Sequence, residues 1–191
     1  MISLLIYLTM NISINYDKPK QDTLLYVTNS CFTEWKKYGK EPDSLRHCFT
    51  TTLLKTKIDS VTYTLQSYMD TTTFKKIGHH LFFKDNANPQ YKLLFDFETL
   101  EGGYNIKRPY KDGMYKIVCS DKLKYKDKYL YGLNYEPIGF TTTEHRSIYY
   151  FDKDGECVMM LTGGFMKDYR LRLDYFEREL SYDEKGNKYF E

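Results

Sequence analysis

Residues 58–66, IDSVTYTLQ, begin a period of two that continues through most of the remaining chain. Val61, Tyr63 and Leu65 alternate here with polar residues. Successive side chains of a β-strand point to opposite faces, so this alternation is typical of a strand with one buried face. We therefore predict strand structure from this point onward.

Similar apolar runs recur along the chain, and turn-forming residues separate them. The runs at 74–84 and 91–98 are joined by residues 85–90, DNANPQ, and a glycine pair interrupts the pattern at 102–103. The later runs lie at residues 114–119, 123–131, 147–151, 157–161 and 169–176. Seven or eight short strands with close turns predict an antiparallel meander, closed as a barrel or folded as a sandwich.

The composition supports the same fold class. The chain has 191 residues, which suits one domain, and it contains 20 tyrosines and 12 phenylalanines. Aromatic residues favour strands, whereas Ala87 is the only alanine, which is unusual for a helical protein. We therefore expect one all-β, or β-dominated α+β, domain over residues 17–191.

One or two short helices are expected before residue 50. Ser30 or Thr33 can cap a helix that runs through Trp35, and Gly39 can end it. Pro42 lies where the first turn of a second short helix would begin.

Residues 1–16 have two interpretations, which the sequence leaves open. The run at residues 2–10, ISLLIYLTM, is too short to span a membrane, but it has the length of the apolar core of a signal peptide. Alternatively, Ile12, Ile14 and Tyr16 alternate with polar residues and would continue a first strand. The first interpretation predicts an exported protein.

Charge and cysteine content narrow the possible partners. The net charge of +2 provides no overall field that would attract nucleic acid, so a nucleic-acid partner is not expected. In an exported chain, Cys31 and Cys48 would be the most local disulfide pair; in a cytosolic chain, the cysteines would be buried apolar residues.

No metal site is predicted from the sequence. Asp152, Asp154 and Gly155 superficially resemble a calcium loop, but the spacing of the remaining ligands fails, so a hairpin turn is expected. His79 and His80 are adjacent and would point to opposite faces of a strand, which prevents them from sharing a metal ion.

No catalytic residue or cofactor is predicted either. Asp96 and Glu98 would project from one strand face, as solvent-facing residues opposite two phenylalanines. Residues 141–146, TTTEHR, place a potential base near hydroxyl groups, but neighbours in an extended segment rarely face each other.

A stripe of lysines and tyrosines is the candidate binding surface. In a single strand, the four lysines would line one face, with aromatic rings between them, and could bind a polyanion. The alternative is a solvated edge strand that its charges protect from aggregation. The candidate residues are Lys122, Lys124, Lys126, Lys128, Tyr125, Tyr129 and Tyr131.

Residues 91–97, YKLLFDF, with the glycine pair that follows, resemble a pattern in exported β-rich proteins of the Bacteroidota. In those proteins, a Leu-Leu-Tyr-Asp-Phe strand is followed within several residues by Gly-Asp. Here Phe95 replaces the tyrosine, and Tyr104 follows Gly103, so the Gly-Asp pair is missing. The resemblance implies an extracytoplasmic β domain of unknown function and supplies no catalytic residues.

Three functional hypotheses follow. The first is a non-enzymatic binding or interaction domain of the cell envelope, periplasmic or on the cell surface, with a protein or polymer partner. The second is a cytoplasmic partner-binding protein of the immunity type. The third is a hydrolase whose site is assembled from distant residues, with Glu144, His145 or Asp96 as candidates.

Overall fold

The structure is a computed structural model that describes residues 20–39, 48–139, 147–162 and 168–190. Strands predominate in this part of the chain, and it contains one short α-helix, which confirms the predicted β-dominated class. The structure does not describe residues 1–16 or residues 141–146. Most of the predicted helix at Pro42 also lies outside the described residues. No helix among the described residues is long and apolar enough to cross a membrane.

Within the described ranges, twelve strands form one antiparallel sheet, and two short strands form a separate hairpin near residue 185. The strands of the sheet are β1 (Gln21–Thr28), β2 (Thr50–Lys57), β3 (Thr62–Gln66), β4 (Thr71–Ile77), β5 (His80–Lys84), β6 (Lys92–Asp96), β7 (Ile106–Arg108), β8 (Lys111–Tyr125), β9 (Lys128–Pro137), β10 (Ile148–Phe151), β11 (Cys157–Thr162) and β12 (Asp168–Arg172). The hairpin comprises β13 (Ser181–Tyr182) and β14 (Lys188–Tyr189).

Neighbours in the sheet are also neighbours in sequence, except where β1 pairs with β12. The sheet is therefore an up-and-down meander whose first and last strands meet, and it curves into a nearly closed barrel. The two strands at its ends, β6 and β7, follow each other in the chain. This confirms the predicted meander and selects the barrel over the sandwich.

The glycine pair at 102–103 connects the two ends of the sheet. Gly102 forms an isolated bridge with Phe95 of β6, and the Gly103 N–H donates to the carbonyl of Leu94 over 3.1 Å. On its other side, the Gly103 carbonyl accepts the N–H of Ile117 in β8 over 2.8 Å. The pair thus supplies a short piece of backbone between β6 and β8.

A side-chain amide completes the pairing at β7. Asn88, which is 1% exposed, donates to the Lys107 carbonyl over 2.8 Å and accepts the Lys107 N–H over 3.0 Å. The amide therefore binds β7 as a neighbouring strand would. The loop between β5 and β6, which was predicted as a turn, is in this way fastened to the far end of the sheet.

The predicted number of strands was too low, because β1, β2, β7, β13 and β14 lie outside the predicted runs and because the run 74–84 contains a tight turn. The boundary between β8 and β9 was also misplaced. In the run 74–84, Ile77 pairs with His80, so Gly78 and His79 form a two-residue hairpin loop. In the run 123–131, Tyr125 pairs with Lys128 in the same way. Such loops require positive φ, and Gly78 has a φ of 57°.

Apolar side chains fill the inside of the barrel and also cover part of its outer wall. Buried aromatic and aliphatic residues from most of the strands form the inner cluster, which includes Phe74, Phe83 and Phe151. The outer cluster lies on β1 and β8–β12, where helix α1 (Phe32–Tyr38) and the C-terminal segment cover it. Two buried faces explain why several strands lack a polar side.

Helix α1 ends as predicted, but it begins differently. Gly39 has a φ of 67°, and its N–H donates to the carbonyl of Trp35 over 2.9 Å. A 3-10 turn, Asn29–Cys31, precedes the helix, and no side chain of Ser30 or Thr33 caps it. Cys31, the residue before α1, forms a disulfide with Cys48, the pair that the sequence singled out for an exported chain.

Candidate functional site

The inside of the barrel contains a cavity of about 450 Å³. Ligand pockets of proteins typically have volumes of a few hundred to about 1,000 Å³, so this cavity is large enough for a small molecule. Antiparallel barrels hold ligands in their interiors because inward-facing side chains surround the ligand on all sides. The cavity is therefore the candidate functional site.

The wall of the cavity is apolar over most of its depth. Aliphatic and aromatic side chains from strands around the barrel project into it. They include Leu53, Leu65, Phe74, Leu94, Leu133 and Met160. An apolar ligand segment in this space would gain about 25 cal/mol for each Å² of surface removed from water.

The turn between β10 and β11 closes one end of the barrel. The Tyr63 hydroxyl donates to the Gly155 carbonyl over 2.5 Å, and the Tyr26 hydroxyl donates to the Cys157 carbonyl over 2.8 Å. As predicted, residues 152–155 form a hairpin turn, and Gly155 has a φ of 80°. Two phenols from inside the barrel thus hold this turn in place.

An ion-pair network reinforces the closed end. Glu156 binds Lys55 and also Nη1 of Arg172, the latter at 3.0 Å. Burial by itself raises the pKa of Glu156, but the two cations outweigh burial and hold its pKa below the ordinary value. Glu156 is therefore ionised at neutral pH and links the turn between β10 and β11 to β2 and β12 across the closed end.

Polar side chains gather at the open end of the cavity, where β3–β4, β7 and β12 contribute to its rim. Arg170 is the most informative of them. Its Nη1 donates to the Thr51 hydroxyl, whereas its Nε is buried and has no hydrogen-bond partner among the described residues. A buried donor without a partner costs about 1–3 kcal/mol, so a ligand acceptor at this position would remove a penalty.

Arg170 also lacks a counter-ion within the described parts of the chain. Two carboxylates line the same cavity, but each has other partners. Asp85 Oδ1 accepts the backbone N–H and the side-chain amide of Asn88, at 2.6 and 2.9 Å, and Asp70 accepts the Tyr110 hydroxyl at 3.4 Å. The guanidinium of Arg170 is therefore available to an anion.

Two phenols lie between the apolar wall and the arginines. Burial, the main cause, raises the pKa of Tyr135 and of Tyr149, and the nearby arginine Arg108 opposes the rise in both. Both hydroxyls thus remain protonated at neutral pH and are available as donors. Arg108 itself lies over the ring of Tyr135, with its Cζ 5.1 Å from the ring centre.

This arrangement suits one kind of ligand. The deep part of the cavity accepts apolar groups, and the open end offers a guanidinium with an unused donor and two neutral phenols. A carboxylate or another planar anion matches the fork of a guanidinium and forms strong, charge-assisted hydrogen bonds with it. The cavity can therefore bind an amphipathic molecule with an anionic group at one end.

The predicted lysine stripe is divided by a turn. Lys126, with a φ of 54°, lies in the loop between β8 and β9, so the expected single strand from residue 123 to 131 was wrong. Lys122 and Lys124 share a face with Tyr129 and Tyr131, whereas Lys128 is paired with Tyr125 on the other face.

The charges of the stripe are also partly paired. Lys126 binds Glu177 at 2.7 Å, and Lys128 binds Asp154 at 3.1 Å. Lys122 stacks over Tyr129, with its Nζ 4.3 Å from the ring centre. Tyr125 and Tyr131 are buried, so they do not offer free rings for stacking. The polyanion-binding role of these residues stays a prediction, without the continuous face on which it was based.

The predicted placement of His79 and His80 on opposite faces of one strand was also wrong. His79 lies in the two-residue loop, not in the strand, so the alternation of a strand does not separate it from His80. Their ring centres are 4.1 Å apart, and Asp96 lies beside both. These three residues are not part of the cavity wall. The other hydrolase candidates, Glu144 and His145, lie outside the described residues.

The cavity residues were missed because residues 169–176 were recognised only as an apolar run, with no face of the strand assigned to the interior. Tyr169 and Leu171 belong to the outer cluster, and the intervening Arg170 lines the barrel interior. If the outer wall were exposed to solvent, Arg170 would be expected to face outward, and Tyr169 and Leu171 would be expected to face the barrel interior. The signal was the strict alternation of charged and apolar residues in 168–172, DYRLR, which does not by itself indicate which side faces inward.

Comparison with known proteins found no match. No family model fits the chain, and neither a curated protein nor a solved structure is similar to it.

Proposed function

We propose that this protein is a non-enzymatic binding domain that holds a small amphipathic anion inside its barrel. The observation that carries the proposal is the cavity of about 450 Å³ with Arg170 at its open end, whose buried Nε has no partner among the described residues. The apolar part of the ligand would lie against Leu94 and Leu133, and its anionic group would bind Arg170.

The energetics favour a ligand with both parts. Apolar burial alone is not selective, because any hydrocarbon of suitable size would enter the cavity. A hydrogen bond between charged groups contributes about 1.5–3 kcal/mol, which corresponds to about 10- to 100-fold in affinity. Arg170 would therefore distinguish an anion from a neutral molecule of the same length.

The cell envelope remains the proposed location. The Cys31–Cys48 disulfide supports it, because disulfides persist mainly in oxidising compartments. The resemblance of residues 91–97 to exported proteins of the Bacteroidota points the same way. A barrel that carries an amphipathic molecule between membranes or receptors would suit that compartment.

A protein partner is the second candidate, and exposed side chains at the open end favour it. The turn between β3 and β4 contributes Ser67 and Asp70 to the cavity, and between them Tyr68 is 102% and Met69 73% exposed. Tyrosine and methionine are enriched in protein interfaces. On this alternative, the rim, and not the cavity, would make the functional contact.

A displacement experiment tests the main proposal. Tag-free protein is titrated with the fluorescent anion 8-anilinonaphthalene-1-sulfonate, which is then displaced with dodecanoate or with dodecan-1-ol. We expect dodecanoate to displace the probe at a concentration at least about tenfold lower than the alcohol requires. Absence of saturable probe binding, or equal displacement by the two molecules, would contradict the proposal.

Two variants locate the interaction. Arg170→Gln should remove the preference for dodecanoate and leave displacement by the alcohol unchanged. Arg178→Gln makes the same chemical change at an exposed position away from the cavity and should bind like the wild type. A preference that survives in Arg170→Gln would show that the anion binds elsewhere.

A further inference from the structure

A cluster of potential metal ligands lies outside the cavity, at the hairpin between β4 and β5. His79 occupies the hairpin loop, His80 begins β5, and Asp96 ends β6. One nitrogen of each histidine and one oxygen of Asp96 all lie within 4.8 Å of one another. The three residues therefore meet without any rearrangement of the backbone.

The distances are close to those within a metal coordination shell. Asp96 Oδ2 lies 3.7 Å from Nε2 of His79 and 3.4 Å from Nε2 of His80. Zinc binds such nitrogen and oxygen atoms at about 2.0–2.1 Å, so two ligands at a tetrahedral angle are about 3.4 Å apart. An ion between the three atoms would need only small side-chain movements.

The carboxylate is held in position by the backbone. Asp96 is 7% exposed, and its Oδ1 accepts the N–H groups of Glu98 and Thr99 at 2.8 and 3.2 Å. These bonds leave Oδ2 directed at the two imidazoles. The ligand oxygen is thus oriented before any ion arrives, which lowers the entropic cost of binding.

A second carboxylate lies beside one of the histidines. Glu98 Oε2 lies 3.1 Å from Nδ1 of His79, the ring nitrogen that does not face Asp96. An acceptor at Nδ1 places the proton there and leaves the lone pair on Nε2 for a metal ion. Such a carboxylate behind a metal-bound histidine is common in metal sites and typically changes affinity by about 10- to 100-fold.

We propose that His79, His80 and Asp96 form a binding site for one divalent transition-metal ion, with Glu98 as the residue that positions His79. Two imidazoles and one carboxylate suit Zn²⁺, and also Ni²⁺ or Cu²⁺, better than the oxygen-seeking Ca²⁺ or Mg²⁺. Three protein ligands leave a coordination position open. His79 is 45% exposed at its side chain, so the ion can enter from solvent.

The site is tested by zinc titration of the full-length, tag-free protein against a chromophoric zinc indicator. We expect one equivalent of zinc to bind, and we expect His79→Ala and His80→Ala each to weaken binding at least about 100-fold. Glu98→Gln should weaken it by about tenfold, because it keeps the three ligands and alters only the orientation of His79. Asp154→Asn, at an exposed carboxylate outside the cluster, should not change it.

A measurement on the unmodified protein avoids any effect of the variants on folding. Addition of Co²⁺ should broaden the NMR signals of His79, His80 and Asp96 first, before signals from the cavity wall. Binding of less than one equivalent of zinc, or broadening centred elsewhere, would overturn the proposal. Arg170→Gln should bind zinc normally, so the failure of either proposal can be recognised separately.

Discussion

The N–H of Ile117 donates to the carbonyl of Gly103 over 2.8 Å, and this bond connects the two ends of the twelve-stranded sheet. The approach is close on both sides of the glycine pair. A Cβ on Gly103 would lie 1.8 Å from the Leu93 carbonyl oxygen, and one on Gly102 would lie 1.8 Å from that of Ile117. Only glycine permits backbone contact on both flanks.

Replacement of Gly103 by alanine should open or distort this connection. We expect Gly103→Ala to lower the free energy of unfolding by about 2–3 kcal/mol, because backbone atoms must move to accept the methyl group. Urea denaturation measures the change. Gly78→Asn is the control, since Gly78 has open space around it and asparagine tolerates its positive φ; a loss as large as that of Gly103→Ala would refute the closure argument.

Filling the cavity should abolish ligand binding and leave the fold intact. Leu133→Trp replaces a cavity-lining leucine with a larger, aromatic side chain that occupies part of the cavity. We therefore expect at least about a tenfold loss of probe affinity and a change in the free energy of unfolding below about 1 kcal/mol. Leu130→Trp is the matched control on the outer wall, where Leu130 is fully buried. It should destabilise by about 1–3 kcal/mol and keep probe binding; the reverse pattern would place the site elsewhere.

The Glu156 network should make stability depend on pH in the acid range. The folded pKa of Glu156 lies below its ordinary value, so its stabilisation is fully present above that ordinary value and is lost as pH falls through the folded pKa. We expect Glu156→Gln to lower the unfolding free energy by about 2 kcal/mol at pH 7, and the difference from wild type to shrink below about pH 4.

Thermal or urea unfolding at several pH values measures this dependence. Glu184→Gln changes an exposed glutamate in the loop between β13 and β14 and should alter stability by less than about 0.5 kcal/mol at every pH. A loss in Glu156→Gln that stays constant down to pH 3 would show that the charge of Glu156 is not what stabilises the closed end.

The disulfide should be detectable by the mass that alkylation adds to the protein and by its contribution to the free energy of unfolding. Without reduction, the unfolded protein should alkylate at Cys119 and Cys157 only, and after reduction at all four cysteines. We expect the double variant Cys31→Ser/Cys48→Ser to lose about 3 kcal/mol, since a disulfide that closes a loop of this size restricts the unfolded chain by about that amount. Four reactive thiols in protein from its native source would argue against export.

Local patterns predicted the fold class correctly and the number of strands incorrectly. The alternation at Tyr63 and Leu65, the turn at 152–155 and the helix end at Gly39 are local features, and each appears in the structure as predicted, whereas Val61 lies before β3 and is exposed. The loops at Gly78 and Lys126 were missed because apolar residues continue on both sides of them. A two-residue turn interrupts neither the composition nor the alternation strongly enough to be seen.

The candidate site could not be predicted in the same way. Its members come from distant parts of the chain, as Arg170 and Thr51 or His80 and Asp96 show. Strand alternation states that two residues share a face, but it does not say whether that face is the barrel interior. In a sheet with apolar residues on both faces, the hydrophobicity of the side chains does not show which face is the interior either.

The sequence by itself determined the β-dominated class and the antiparallel meander, because both depend on side-chain alternation and turn chemistry. Short separation along the chain made Cys31 and Cys48 the first candidates for a disulfide, on the condition that the chain is exported. Only the tertiary structure decided that the sheet closes, through the contact of Gly103 with Leu94 and Ile117. Closure of the sheet creates the barrel interior. It turns Arg170 from one more charged strand residue into a cation at the mouth of an apolar cavity, without a counter-ion among the described residues.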